Sequence, residues 1–150
     1  MSARCGRLAL LLAVLLAAQP TWAGATAGAE PSPERGRALF VGAAPLVGRI
    51  ALHTSNLPPE VLRCANCHDA AGSPPVLRTV APALTRAWLI APRERRGGPL
   101  SAYDLAAFCR LLQTGQDPAN LIVNVQMPRY TVSDQDCGDL WRHLIGGDHE

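Results

Sequence analysis

Cys64-Ala65-Asn66-Cys67-His68 is the stretch on which the reading of this chain turns. Two cysteines separated by two residues and followed at once by a histidine have the spacing of a covalent c-type haem attachment site. Each thiol can add to one vinyl group of the porphyrin. The next residue is then held beneath the iron, where an imidazole nitrogen can ligate it. A bare Cys-x-x-Cys would also suit a thioredoxin-like redox pair or half a zinc site. The redox pair calls for a strand ahead of it, whereas Pro58-Pro59 and a loop-like run precede Cys64. The zinc site calls for a second clustered pair, whereas Cys109 and Cys137 stand apart.

Working outward, Leu57 to Arg63 lead back into a region broken by Gly42, Pro45, Gly48, Pro58 and Pro59. Residues 41–63 read as a structured loop or short hairpin over one side of a haem pocket. His53 lies within it and reads as a solvated residue or a rival axial ligand. Upstream, Ser32 is a suitable N-cap, Pro33 suits the first helical position and Glu34 complements the helix dipole. Gly36 and Phe40 share a face of that helix. A glycine there makes most sense where another helix crosses closely.

Residues 1–23 have the form of a secretory signal. Arg4 and Arg7 precede an apolar run from Leu8 to Ala18, too short to span a bilayer comfortably. Cleavage after Ala23 or nearby would remove Cys5. A retained N-terminal anchor is the competing reading. Residues 24–31 read as a flexible leader, and 32–150 as one domain. All 14 basic residues are arginine. Apart from Arg4 and Arg7 they balance the 12 acids, so no clustered basic face points to nucleic acid. Export and haem attachment fit together, because the c-type linkage is made outside the cytoplasm.

Downstream of His68 the chain runs through Gly72, Pro74 and Pro75 to Thr79-Val80-Ala81-Pro82-Ala83-Leu84 without helical period. A ligating histidine needs its other ring nitrogen held. Pro82 could present a carbonyl for that purpose, or it is simply a loop proline. Trp88 could line the haem edge, bond a propionate, or fill the core. Arg93, Arg95 and Arg96 read as a solvated turn, a docking patch for an acidic partner, or a propionate clamp.

Ser101 and Asp104 resemble a capping box for a helix over 102–114 that buries Leu105, Phe108, Cys109 and Leu112. Gly115 stops it. A last helix follows the Ser133 cap, with a stripe of Cys137, Leu140, Trp141, Leu144 and Ile145. Residues 148–150 should fray. Cys109 and Cys137 both point inward; they read as a disulfide or as two buried thiols. Met127 precedes Pro128 in the intervening loop. The only other methionine is Met1, which leaves with the signal. A thioether ligand in the mature chain is therefore Met127.

Taken together, Gly36-x-x-x-Phe40, Cys64-x-x-Cys67-His68, Pro82-x-Leu84, Met127-Pro128-x-Tyr130 and Leu140-x-x-His143-Leu144 make the chain resemble a bacterial monohaem class I c-type cytochrome. The resemblance implies an all-α fold of three to five helices around one haem, with long irregular loops. It implies that the first and last helices cross at near right angles, with glycine allowing contact. It assigns haem c to Cys64 and Cys67, the proximal bond to His68, its support to Pro82 and the distal sulfur to Met127. It implies a periplasmic electron carrier, or the cytochrome subunit of a redox enzyme, rather than an enzyme in its own right. Its partners would be a donor dehydrogenase and an acceptor oxidase, and it would not be an integral membrane protein once the signal is cleaved. Two features depart from the pattern. His143 stands where an aromatic residue is usual and is a second rival ligand. The stretch 41–63 is extra. A weak Met127 bond would instead suit gas sensing or peroxidase-like chemistry.

Replacing both thiols, Cys64→Ala with Cys67→Ala, should abolish covalent attachment. Haem that stays with this variant through acid–acetone extraction would contradict the motif reading.

Overall fold

Ser32 opens the first helix of the fold. In the computed structural model, which describes residues 29–68 and 81–146, helix α1 runs Pro33–Val41. The Ser32 hydroxyl accepts the Arg35 N–H at 3.1 Å, which satisfies one of the donors a helix start leaves unpaired. Gly42, at φ 81°, closes the helix in the left-handed conformation that glycine adopts without a Cβ penalty. The signal segment 1–23, most of the leader, the loop 69–80 and the expected fraying at 148–150 lie outside the described residues.

The last helix packs against α1. It is the fifth α-helix among the described residues, α5, Asp134–Gly146. A Cβ on Gly36 would overlap the Asp139 carbonyl and lie 2.7 Å from the His143 Cβ. Only a hydrogen at position 36 lets the two backbones approach this far. Asp139 is 2% exposed, yet it is satisfied. Its Oδ1 accepts the Ser32 N–H at 2.7 Å and the Gln135 side-chain amide at 3.0 Å. Burying a carboxylate needs such partners. At the rim, Arg35 pairs with Asp136 at 3.1 Å, an exposed contact of small energetic weight. Ser133 caps α5 as expected, its hydroxyl accepting the Asp136 N–H at 3.0 Å.

Between these helices lie α2 (Ala65–His68), α3 (Arg86–Ile90) and α4 (Leu105–Thr114). Helix α4 starts later than the capping-box reading expects. Asp104, not Ser101, is its N-cap, and the carboxylate accepts the Ala107 N–H at 2.7 Å. A charged cap also complements the helix dipole. Leu105 therefore sits at the open end and is 42% exposed, rather than buried as expected. Phe108 and Leu112 do face inward, with Leu39, Leu89, Leu140 and Leu144. Phe108 meets Trp141 of α5 with ring centroids 5.4 Å apart. Gly115 ends α4 at φ 77°.

Cys109 and Cys137 form a disulfide, with Cα atoms 5.8 Å apart and a sequence separation of 28. Closing a loop of that length restricts the unfolded chain by roughly 3–4 kcal/mol in the chain-entropy account.

The fold is helical but not purely so. Among the described residues two short antiparallel pairs supplement the helices. Strand β1 (Val47–Arg49) pairs with β4 (Arg129–Thr131), setting Gly48 opposite Tyr130. Strand β2 (Arg93–Glu94) pairs with β3 (Leu100–Ser101). The segment 41–63 is thus not a hairpin closed on itself. Its strand reaches a partner from the far end of the chain. A 3₁₀ turn, Pro59–Val61, leads from it to α2. Among the described residues no helix is long and apolar enough to cross a membrane.

Gly36→Ala should force α1 and α5 apart at a cost of about 1–3 kcal/mol. The thermal midpoint should fall by several degrees; an unchanged midpoint would mean that the backbones do not meet there.

Candidate functional site

Cys64 to His68 form one tight turn. The N–H groups of Cys67 and His68 both donate to the Cys64 carbonyl, at 3.2 and 2.9 Å. The Asn66 side-chain amide donates to the Glu60 carbonyl at 2.9 Å and ties this turn to the preceding one. Cys64 is 8% exposed and lines a cavity. Burial pushes its thiol up to about 12, although hydrogen bonding, including that with Tyr130, pulls the other way. A redox-active Cys-x-x-Cys instead carries a thiol poised to ionise near neutral pH. Cys67 is exposed and is not part of the cavity wall, but it is close enough to influence the ionisation of Cys64 and Tyr130.

His68 closes the turn. Its Nδ1 lies 2.7 Å from the Pro82 carbonyl. A carbonyl can only accept, so Nδ1 carries the hydrogen and Nε2 carries the lone pair. Burial lowers the His68 pKa, and the Pro82 bond opposes this only in part. The imidazole is thus held neutral and oriented, the form in which histidine binds a metal.

The cavity has a volume of about 370 Å³, within the range of small-molecule sites. Phe40, Leu89, Phe108, Leu112, Leu140 and Leu144 supply apolar wall from α1, α3, α4 and α5. Met127 also lines it, from the loop ahead of β4. The Met127 N–H donates to the Asn124 carbonyl at 3.0 Å, and its own carbonyl accepts from the Arg129 guanidinium. The fold therefore brings Cys64, His68, Pro82, Trp88 and Met127 to one cavity, with Cys67 on the outer side of the same turn. His53 is exposed, and His143 packs on Phe40 with ring centroids 5.7 Å apart; neither lines the cavity.

The opposite character appears around Trp88. Its ring stacks on Tyr103 at 6.1 Å and 27°. The Arg95 guanidinium lies 5.0 Å from both ring centroids. Arg95 is 5% exposed, which corrects the reading of this residue as part of a solvated turn. It donates to the carbonyls of Trp88 at 2.8 Å, Leu89 at 3.1 Å and Ser101. Asp117 is also buried; its Oδ1 accepts the Leu121 N–H at 2.8 Å. Arg93 Nε, Arg95 Nε and Asp117 Oδ2 are buried without hydrogen-bond partners. Arg93, Arg95 and Asp117 all line the cavity.

These residues fit a haem. An apolar cavity would take the macrocycle, and His68 and Met127 offer a nitrogen and a soft sulfur to iron. Cys64 and Cys67 lie one turn apart for the vinyl groups. The unpartnered guanidinium nitrogens suit carboxylates. Among the described residues no cluster of three or more His, Cys, Asp or Glu could hold a metal ion by itself. Sequence reading missed Tyr103 and Asp117. An isolated tyrosine and an acid before Pro118 carry no local signal of burial. No family model, curated protein or solved structure matches this chain.

Arg95→Met would take the guanidinium donor from the carbonyls of Trp88, Leu89 and Ser101, of which Leu89 keeps the Tyr103 N–H, and would empty the space between the two rings. It should cost at least about 2 kcal/mol. Arg96→Met, on an exposed neighbour, should stay within about 0.5 kcal/mol. Denaturant midpoints at constant slope measure both, and equal effects would contradict the burial of Arg95.

Proposed function

We propose that this chain is a one-electron carrier built on a covalent, His/Met-ligated haem c. The observation that carries this reading is His68, its Nδ1 engaged by Pro82 and its Nε2 left with a lone pair, on the wall of the cavity that Met127 also lines. Bound there, a haem would supply an iron that cycles between the ferrous and ferric states. The chain's own residues do the rest. Cys64 and Cys67 would tether the group by thioethers, and His68 and Met127 would offer its iron a nitrogen and a sulfur. With both donors engaged, the iron would be shielded from a substrate, which suits transfer rather than turnover. A thioether ligand favours the ferrous form. The apolar walls disfavour the extra charge of the ferric form, so the potential is raised. The signal-like segment 1–23 and the disulfide both suit the periplasm, with a dehydrogenase as donor and an oxidase as acceptor.

The test is Met127→Ala in protein matured in a host able to attach haem. The potential should fall, and the reduced protein should acquire CO binding. An unchanged potential removes Met127 from the iron. A colourless wild-type product removes the haem.

A further inference from the structure

The methionine loop is not part of a helix, so something other than a helical ladder must hold it. Arg129 does so from two residues away, by donating a charge-assisted hydrogen bond to the Met127 carbonyl. Its guanidinium occupies the space left by Gly115; a Cβ there would overlap it. Arg129 is also the first residue of β4 and stands opposite Arg49 of β1. The ladder is close-packed. A Cβ on Gly48 would come within 2.9 Å of the Arg129 carbonyl and 3.2 Å of the Tyr130 ring. The Tyr130 hydroxyl donates to the Leu62 carbonyl at 3.1 Å, two residues before Cys64. The Leu57 N–H donates to the Gly48 carbonyl at 2.8 Å, which folds the segment 41–63 around its own strand.

We propose that the extra segment 41–63 serves to brace the methionine loop: β1 fixes β4, and Arg129 at the start of β4 is a positioning residue that keeps Met127 in place as the axial ligand. The inference rests on the haem reading above. It assigns that segment a task in ligand retention, and it makes the strength of the sulfur–iron bond depend on a strand pairing remote in sequence from both ligands.

The experiment uses the ferric holoprotein, with imidazole as the competing ligand and the weak Met-to-iron charge-transfer band as the second readout. Arg129→Ala should weaken the band. It should also tighten imidazole binding by roughly ten- to a hundredfold, the factor expected from losing a hydrogen bond to a charged group. Arg129→Lys keeps a cationic donor and should recover most of the band. Gly48→Ala presses on the Arg129 carbonyl from the other strand and should give a smaller rise in the same direction. This variant also serves if Arg129→Ala does not mature. Wild-type imidazole affinity in both Arg129→Ala and Gly48→Ala overturns the bracing role. Failure of Arg129→Lys to recover the band overturns the donor role of Arg129. A wild-type protein without the band defeats the parent reading, and the bracing falls with it. A band in the wild type that the variants leave intact defeats the bracing alone.

Discussion

Helices α1 and α5 meet at a position where no side chain can stand. The absent Cβ of Gly36 lets the Asp139 carbonyl approach the α1 backbone, and other contacts follow from that approach. Ser32 reaches Asp139, so one carboxylate satisfies the entry of one helix from the interior of another. Phe40 on α1 and Leu140 and Leu144 on α5 then share a wall of the cavity. The disulfide ties α4 to α5, and Phe108 and Leu112 add a further side. A cavity in so small a protein exists because these helices are pinned at their crossing and by a covalent bond, not because the core is large.

Against that frame the site divides by chemistry. The wall that His68 and Met127 share is mainly leucine and phenylalanine, with Cys64 beside His68 and Asn124 beside Met127. Around Trp88 it holds two stacked rings, a buried guanidinium and a buried carboxylate. A flat amphiphile with acidic groups at one edge matches that division. The raised thiol of Cys64 sets the motif apart from a redox dithiol, which carries a thiol poised to ionise near neutral pH.

Much of this was legible in the chain, and the reason is locality. Ser32, Ser133 and Gly115 act through bonds to residues three or four positions away, so their meaning is visible in sequence. Gly36 and the inward-facing Cys109 and Cys137 were legible through helical period. What escaped depends on distant partners. Strands of two or three residues carry no alternation to detect, and β1 finds β4 only through the tertiary fold. Ser101 looked like a helix cap because its pattern is correct. Pairing with Arg93 in a strand claimed it first, and Asp104 took the cap. Arg95 looked solvated because nothing nearby in sequence shows that Trp88 and Tyr103 will enclose it.

The enclosure of Arg95 has an electrical consequence. Its guanidinium keeps its charge at any physiological pH, and the aromatic faces shut it off from mobile ions. An exposed pair such as Arg35–Asp136 fades in brine because counterions crowd around it. A cation held between tryptophan and tyrosine fades far less. A charge placed in the cavity that Arg95 lines would feel a pull that depends on salt far less than that of the exposed pair.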